Sequence, residues 1–382
     1  MSFELAITNA RIVGRHAIIE SGSLLVRDGV IADLDSDSRP VAGAEDFGGD
    51  YLLPGLVELH TDNLEKHFAP RPGVRWPGKL AVISHDAQIA AAGITTVLDA
   101  IAVGDLRDNA VRMEILRDMI AAIEASQQGG MLRAEHLLHL RCEISFKNLM
   151  PLVEPLTELS WLKLVSVMDH TPGQRQFVNL QTYRQYYQRK YGLSGEAMDQ
   201  FMAEQIANAK AYGAQNRRRI VALCREKGLP LASHDDATPE HVAEAAADGM
   251  VVAEFPTTRE AAALSRQHGM QVMMGGPNLV RGGSHSGNIS ARSLAEESQL
   301  DIISSDYVPS SMIQSVFLLP KEVPDISLPQ AVAMASANPA DAIGLKDRGA
   351  IEPGRRADLV RVSLIDDTPV VRAVWRNGQR VM

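Results

Sequence analysis

Short apolar or β-branched segments alternate with turn residues through the first fifty positions of the chain, and helical periodicity is scarce there. These segments predict short strands over 5–7, 12–13, 17–19, 23–26 and 31–34. The last thirty residues have the same character, with strands predicted over 358–364 and 370–375 and a hairpin turn at Asn377-Gly378. Two β-rich ends around a different middle predict one small β-sandwich domain built from both termini.

The middle of the chain alternates apolar strand candidates with Ala-rich segments of helical periodicity. Helices are predicted over 105–125, 196–227 and 239–247. Strands are predicted over 56–60, 95–99, 136–143, 162–169, 230–234, 250–254, 270–274 and 301–306. Strands alternating with helices in this number are typical of an α/β fold, the (β/α)8 barrel. We therefore expect a barrel at residues 55–348 and a small domain formed by residues 1–54 and 349–382.

Two stretches between the predicted strands lack a clear strand of their own. Residues 170–191 combine Pro, Gly and Gln with aromatic residues, and residues 275–289 are rich in Gly. In a barrel, long loops that follow the strands belong to the face that carries the active site. Both stretches are therefore predicted to be active-site loops.

The charge, hydropathy and cysteine content of the chain argue against several classes of protein. The 382 residues carry a net charge of −9, which argues against nucleic-acid binding because such binding needs a basic face. No apolar run approaches the roughly 20 residues that span a bilayer, and the first residues lack the basic start of a secretory signal. The two cysteines cannot form a disulfide framework. A cytoplasmic protein without a membrane partner is expected.

The segment His60-Thr61-Asp62 is the first candidate for metal binding. Residues two apart in an extended chain point to the same side, so His60 and Asp62 can reach one ion from the end of a strand. Imidazole nitrogen and carboxylate oxygen suit a divalent ion such as Zn²⁺, Mn²⁺ or Fe²⁺. Alone, however, such a pair is more often part of a surface turn.

Other ligand-type side chains end other predicted strands, namely Glu143, His170, His234 and Asp306. In a barrel these strand ends form the catalytic rim. Six ligands are therefore predicted to surround one or two divalent ions, zinc in the first place, with Glu143 as the bridging group. Asp306 is also predicted to be the general base that accepts the proton of an attacking water.

Two segments resemble the amidohydrolase superfamily, and the resemblance covers nearly the whole chain. Residues 53–60 (LPGLVELH) resemble the approach to its first barrel strand, and residues 354–360 (GRRADLV) resemble the return into its small β domain. The resemblance implies a metal-dependent hydrolase built on a (β/α)8 barrel.

A narrower resemblance is to the diphosphatases of phosphonate degradation, in the carbon–phosphorus lyase pathway. It is carried by the segments 60–67 (HTDNLEKH), 70–77 (PRPGVRWP), 168–176 (MDHTPGQRQ), 275–278 (GGPN) and 281–288 (RGGSHSGN). It implies hydrolysis of alpha-D-ribose 1-methylphosphonate 5-triphosphate to the 5-phosphate and pyrophosphate. Asp62 departs from the superfamily, which commonly has a second His there. Glu143 replaces the usual bridging carboxylated Lys, for which Lys147 and Lys163 are the alternatives.

A triphosphate needs cations and backbone donors in its pocket. Arg175 and Arg281 are predicted to bind phosphate oxygens, with Lys66 and Arg71 as further candidates and His285 at the leaving group. A homo-oligomer that takes a small phosphorylated sugar is expected. The alternative function is hydrolysis of a C–N bond in a small cyclic amide, or deamination of a base, because one fold hosts many chemistries.

Overall fold

The computed structural model describes residues 4–37, 43–107, 111–284 and 287–382. The α-helices of these residues are α1 (Asn63–Phe68), α2 (Gly78–Ala91), α3 (Val111–Gln128), α4 (Leu149–Leu156), α5 (Leu180–Tyr191), α6 (Gly195–Asn208), α7 (Ala214–Lys227), α8 (Pro239–Ala247), α9 (Arg259–Gln267), α10 (Gly276–Val280), α11 (Ala291–Glu296), α12 (Ser311–Glu322), α13 (Leu328–Met334) and α14 (Ala337–Ala342). Within the described ranges, no helix combines the length and the apolarity needed to cross a membrane.

A mixed sheet is built from both ends of the chain. Its strands are β1 (Glu4–Val13), β2 (Ile18–Arg27), β3 (Val30–Asp35), β4 (Glu45–Asp46), β5 (Tyr51–Pro54), β14 (Leu359–Ile365), β15 (Thr368–Arg376) and β16 (Gln379–Arg380). The hydrogen-bonded order is β16-β15-β14-β5-β1-β2-β3, with β4 beside β1. The hairpin turn predicted at Asn377-Gly378 is confirmed, since both residues have the positive φ of a type I′ turn, 51° and 76°. The prediction that both termini contribute strands to one β structure is also confirmed.

A bulge explains why one strand of this sheet was predicted as two pieces. The predicted pieces 5–7 and 12–13 both belong to β1. Asn9 between them has a left-handed φ of 53°, and the register with β2 shifts between Ile7 and Ala10. A bulge of this kind interrupts the alternation of side chains without ending the strand.

The second sheet consists of parallel strands from the middle of the chain. They are β6 (Leu56–Thr61), β7 (Ile94–Val103), β8 (Glu135–Glu143), β9 (Leu162–Met168), β10 (Leu231–His234), β11 (Val252–Glu254), β12 (Gln271–Gly275) and β13 (Ile302–Ser304). They follow one another in chain order, and a backbone bridge between Thr61 and Asp306 joins the first strand to the segment after the last. All eight predicted strands are confirmed, and with their helices they form the (β/α)8 barrel.

Contacts divide the chain into two compact units. The first unit consists of Met1–Asp99, Met119–Leu137 and Met274–Met382, and the second consists of Ala100–Asp118 and Leu138–Met273. The domain boundaries expected after residues 54 and 348 stay a prediction.

The stretch 170–191 was predicted to be a loop, but it contains the helix α5. The side chain of Asn179 caps the start of this helix, and Gly192 ends it with a left-handed φ of 66°. Aromatic residues and a methionine form a small core at this helix: Phe177, Tyr183, Tyr187, Met198 and Phe201. The helix escaped prediction because tyrosines, rather than aliphatic residues, make up its buried face.

Candidate metal centre

In the first unit, a cluster of possible metal ligands lies where two barrel strands end. It consists of His60 in β6, Asp62 just after that strand, and Asp306 after β13. One ligand atom of each residue lies within 4.8 Å of the others, and His60 Nε2 is 3.7 Å from Asp62 Oδ1. His60 is buried, whereas both aspartates are partly exposed. The structure thus brings three of the predicted ligands together.

Backbone hydrogen bonds hold this first cluster. The N–H of Asp306 donates to the carbonyl of His60 (3.0 Å), and the N–H of Asp62 donates to the carbonyl of Asp306 (2.9 Å). The hydroxyl of Thr61 donates to the same Asp306 carbonyl (3.0 Å). Asp306 has a left-handed φ of 52°, a conformation that Asp tolerates better than most residues. The turn after β13 is therefore fixed against the end of β6.

Glu58 is a buried carboxylate that was not among the predicted site residues. It accepts hydrogen bonds from the backbone N–H of His60 (2.6 Å) and from that of Ser305. Burial raises the pKa of Glu58 to about 7, although these hydrogen bonds favour its charged form. The sequence carried a signal for it, because Glu58, His60 and Asp62 follow one another at a spacing of two.

The second unit contains another cluster, formed by His170, His234 and Asp235. One ligand atom of each lies within 4.8 Å of the others. Asp235 Oδ2 is 3.5 Å from His234 Nε2 and 3.9 Å from His170 Nε2. The two imidazole rings are 5.8 Å apart between centroids. Two predicted ligands therefore meet around a carboxylate that was not predicted.

Buried glutamates orient the two histidines of the second cluster. His170 Nδ1 lies 2.6 Å from Glu143 Oε2, and His234 Nδ1 lies 3.0 Å from Glu254 Oε2. In the neutral form of each ring, which is the form that binds a metal, the proton would lie on Nδ1 and Nε2 would keep the lone pair for the ion. A carboxylate behind each ring fixes both its tautomer and its direction.

Glu143 therefore has contacts other than those predicted for a bridging ligand. Besides His170, it accepts a hydrogen bond from the hydroxyl of Ser145 (2.8 Å). Burial alone would raise the pKa of Glu143, but the charge and the hydrogen bond of His170 outweigh it and lower that pKa. The bridging role stays a prediction, whereas the contacts are those of a residue that orients His170.

Asp235 is placed by a strained turn at the end of β10. It has a left-handed φ of 57°, and its N–H donates to the carbonyl of Glu254 (2.9 Å). Phe255 is also left-handed, with φ 54°, and its ring stands edge-on to His234 with centroids 5.6 Å apart. Such strain in a bulky residue is concentrated at functional sites. The run His234-Asp235-Asp236 after a strand was the available sequence signal.

Both clusters offer the donors that a divalent ion needs. Each combines imidazole nitrogen with carboxylate oxygen, the donor set that suits zinc, manganese and iron. A divalent ion therefore fits the residues of each cluster.

Similarity to known proteins agrees with this chemistry. A model of the amidohydrolase family matches residues 51–381. The chain belongs to the amidohydrolase family. The alpha-D-ribose 1-methylphosphonate 5-triphosphate diphosphatase of Escherichia coli (strain K12) is 51% identical to it over 378 residues, which cover 99% of this chain and 100% of that protein. An imidazolonepropionase of Deinococcus deserti is 24% identical, over 95% of this chain and 92% of that protein.

Solved structures share the fold of this amidohydrolase. A 5-methylcytosine deaminase from Klebsiella pneumoniae has a TM-score of 0.65 at 15% identity, over 99% of this chain and 98% of that one. An N-acetyl-D-glucosamine-6-phosphate deacetylase from Mycobacterium smegmatis has a TM-score of 0.65 at 15% identity, over 99% of both chains. At such low identity the likeness shows the fold alone.

The amidohydrolase buries Arg175, which was predicted to bind phosphate. The residue is 3% exposed, and its guanidinium pairs with Asp236 and with Glu244, the latter at 3.1 Å. Burial lowers the pKa of Arg175, and the nearby charge of Arg217 lowers it further. A guanidinium that is enclosed and paired with two carboxylates has little capacity left for a substrate. In the structure Arg175 thus contacts carboxylates, and its phosphate contact stays a prediction.

Lys66 is the predicted cation that lies beside the first cluster. Its Nζ donates to the carbonyl of Tyr307 at 2.5 Å. Burial lowers the pKa of Lys66, while the charges of Asp62 and Asp306 oppose that effect. The ammonium group thus stands near two of the three ligands.

The remaining predicted contacts lie at the surface or outside the described residues. Arg71 and Arg281 are exposed, and His285 is outside the described residues. Of the lysines considered as carboxylated alternatives, Lys147 is exposed, and Lys163 Nζ donates to the carbonyl of Ser160 (2.9 Å). Since Ser160 precedes β9, Lys163 is engaged at the start of that strand rather than at its end.

Proposed function

We propose that this amidohydrolase cleaves alpha-D-ribose 1-methylphosphonate 5-triphosphate to the 5-phosphate and pyrophosphate, a step of phosphonate degradation. The observation that carries the proposal is the 51% identity to the Escherichia coli diphosphatase over 99% of this chain and 100% of that protein. A match of this extent leaves no domain of either protein without a counterpart. The alternative predicted from the sequence, cleavage of a C–N bond, has support only from relatives of much lower identity.

Divalent ions are part of this proposal, with zinc as the first expectation and manganese or iron as alternatives. The ligands are the members of the two clusters, namely His60, Asp62 and Asp306 in the first and His170, His234 and Asp235 in the second. When bound, such an ion supplies Lewis-acid chemistry, because it draws charge from phosphoryl oxygens and lowers the pKa of water. Whether Glu143 also bridges two ions stays a prediction.

Asp306 is the general base in this proposal. Its carboxylate accepts a proton from water as the water oxygen bonds to phosphorus, and the phosphoanhydride P–O bond breaks so that pyrophosphate leaves. Lys66 Nζ binds a phosphate oxygen, which its position beside Asp62 and Asp306 supports. Arg71 and Arg281, both exposed, are proposed to bind the outer phosphates.

Release of pyrophosphate tests the proposal directly. The purified protein, after elemental analysis of its bound metal, is given the ribose 5-triphosphate, a small cyclic amide and a nucleobase in parallel. We expect pyrophosphate from the triphosphate, and neither ring opening nor ammonia from the other two. Ammonia release or ring opening without any pyrophosphate would replace the proposed function by the C–N alternative.

Hydrolysis in ¹⁸O-labelled water identifies the phosphorus that is attacked. Attack at the α-phosphorus puts the label into the 5-phosphate, and attack at the β-phosphorus puts it into pyrophosphate. We propose α-attack, so label found only in pyrophosphate would contradict this part of the mechanism.

The cytoplasm is the proposed compartment, since Cys142 and Cys224 are both unpaired and buried, as is usual in a reducing environment. The homo-oligomer expected from the sequence stays a prediction.

A further inference from the structure

A chain of buried polar side chains lies behind the first cluster, entirely within the first unit. We call these side chains, Asn63, His85, Asp86, Asp99 and His136, the buried brace. The last four are fully buried and Asn63 is 2% exposed. They come from α1, α2, β7 and β8, so the brace connects four elements of the barrel.

At one end of the brace, two carboxylates lie beside two cations, so that their charges balance. His136 Nδ1 lies 2.8 Å from Asp99 Oδ2, and its Nε2 lies 3.4 Å from Asp86 Oδ1. Two carboxylate partners make both nitrogens donors, so His136 is an imidazolium. Arg133 Nη1 adds a second cation 3.1 Å from Asp86 Oδ2. The next ring of the brace, His85, has a different pair of partners, since Asn63 Nδ2, which can only donate, lies 2.9 Å from its Nδ1.

The neutral end of the brace points to the first cluster. His85 Nε2 lies 2.8 Å from Asp99 Oδ1 and donates to it, so His85 Nδ1 is left as an acceptor. Asn63 Nδ2 donates to that nitrogen at 2.9 Å and to Gln88 Oε1 at 2.9 Å. Asn63 Nδ2 also lies 3.3 Å from His67 Nε2. The direction of the Asn63 amide is therefore set by the tautomer of His85.

The orientation of the Asp62 side chain depends on the contacts that hold its neighbour Asn63. Asp62 stands at the N-terminal cap of α1, but its carboxylate does not cap the helix. The backbone N–H of Asn63 donates to Thr61 Oγ1 instead (3.3 Å). Because the helix begins at Asn63, a fixed Asn63 fixes the direction in which the Asp62 side chain leaves the chain.

The hydrogen bonds within the brace argue against a metal site there. The atoms of His85, Asp99 and His136 lie close enough to hold an ion. However, both nitrogens of each ring are already engaged with side chains of the protein, three of them at 2.9 Å or less. An ion would have to break these bonds, so the group is a hydrogen-bonded support.

We propose that the buried brace is a positioning network, which holds Asp62 as a metal ligand through the hydrogen bond from Asn63 to His85. The proposal rests on the proposed function in one respect, that Asp62 binds a divalent ion. Groups hydrogen-bonded directly to a metal ligand typically affect metal affinity by about 10- to 100-fold, and we take this range for the brace, which acts on Asp62 through its neighbour Asn63.

Two substitutions of one residue separate positioning from simple loss of packing. An Asn side chain reaches the Nδ1 position of a histidine, so His85→Asn keeps an acceptor for Asn63. A Gln side chain reaches the Nε2 position, so His85→Gln keeps the donor to Asp99 and loses that acceptor. The metal-free full chain is titrated with Mn²⁺ alone, and urea unfolding measures the stability of each variant.

We expect His85→Gln and Asn63→Ala to weaken Mn²⁺ binding about 10- to 100-fold, and His85→Asn to weaken it less than about threefold. The double variant with His85→Gln and Asn63→Ala should bind no more weakly than either single variant. Equal affinities in the two His85 variants overturn the proposal. If neither His85 variant folds, an Asn63→Ala variant that binds Mn²⁺ with native affinity also overturns the proposal.

Pyrophosphate release by the native protein distinguishes the two proposals. If the Mn²⁺ affinities follow the expected pattern but no triphosphate is hydrolysed, the brace stands and the proposed function falls. If the triphosphate is hydrolysed but all variants bind Mn²⁺ as the native protein does, only the brace falls.

Discussion

The two ligand clusters are built from similar side chains but are held in different ways. In the first, main-chain hydrogen bonds hold Asp306, because its backbone is bonded to that of His60 and of Asp62, while side chains of the buried brace are proposed to orient Asp62. In the second, side chains do it, because Glu143 and Glu254 accept from the Nδ1 atoms of His170 and His234. Apart from substitution by proline, a side-chain change leaves the backbone N–H and carbonyl groups in place, but it can remove a carboxylate. Single side-chain changes outside the ligands should therefore reach both histidines of the second cluster, but in the first cluster only Asp62, through the buried brace.

Removing a ligand of the second cluster is the largest expected effect. His234→Ala should lower kcat/KM at least about a thousandfold, or about 4 kcal/mol in the activation free energy, with loss of bound metal. Steady-state pyrophosphate release and elemental analysis measure both changes. The exposed His268 on the loop after α9 supplies the matched control, His268→Ala, which should behave like the native protein. Retained turnover in a folded His234→Ala protein would remove the second cluster from the mechanism.

Removing the proposed base of the first cluster comes next. Asp306→Asn keeps the size of the side chain and loses its ability to accept a proton, so kcat should fall roughly 10²- to 10⁴-fold. The backbone bonds of residue 306 remain, and thermal unfolding should be close to native. Asp325→Asn, at an exposed position, is the control. Full activity of Asp306→Asn would show that another group takes the proton.

The stability of the protein at alkaline pH tests the charge of His136 in the buried brace. Burial lowers the pKa of His136, but the charges and hydrogen bonds of Asp99 and Asp86 outweigh it and raise that pKa from 6.5 to about 9. A raised pKa means that stabilisation is complete below about pH 6.5 and is lost as the pH rises through about 9. The free energy of unfolding should fall by up to about 3 kcal/mol across this window.

His136→Gln supplies the reference for that measurement. It should be less stable than the native protein near pH 6.5, and the difference should shrink as the pH approaches 9.5. Urea unfolding at several pH values gives both curves. Parallel curves would mean that His136 does not carry the charge between Asp86 and Asp99.

The barrel could be predicted from the sequence because the apolar pattern of each strand depends only on neighbouring residues. Parallel strands that are buried on both faces leave near-continuous apolar runs, and all eight were predicted for that reason. The helix α5 was missed because its burial depends on a separate aromatic core, in which Tyr183 and Tyr187 meet Phe201 from α6. Nothing in the spacing of polar residues within 170–191 indicates that partner.

The candidate site was less predictable than the fold. Ligands such as His60 and His234 were found because they end strands, and position along one strand is local information. The partner of His234 is Glu254, from the next strand, so it appears only once the strands are paired. The carboxylate partners of Arg175 could not be foreseen, because a loop arginine has the same sequence pattern whether it meets phosphate or carboxylate. Its partner Asp236 lies 61 residues further along the chain.

Removing the carboxylates behind the second cluster should have an intermediate effect. Glu143→Gln and Glu254→Gln each leave an amide whose NH₂ group can turn toward His Nδ1 and disturb the tautomer, so metal affinity should fall about 10- to 100-fold. Titration of the metal-free protein with Mn²⁺ measures this, with the exposed Glu226→Gln as control. A lower number of bound ions in Glu143→Gln, with unchanged affinity for the rest, would favour the bridging role instead.

The smallest effect is expected where a side chain only supplements the main chain. Thr61→Val removes the hydroxyl bond to the Asp306 carbonyl and the acceptor for the Asn63 N–H, at a cost of about 1 kcal/mol in the free energy of unfolding. The two backbone bonds between Asp306 and the end of β6 remain, so kcat/KM should stay within about threefold of native. Urea unfolding and pyrophosphate release measure the two quantities on one preparation. A tenfold loss of kcat/KM without a matching loss of stability would mean that main-chain bonds do not suffice to place Asp306, and that its position also depends on the Thr61 hydroxyl.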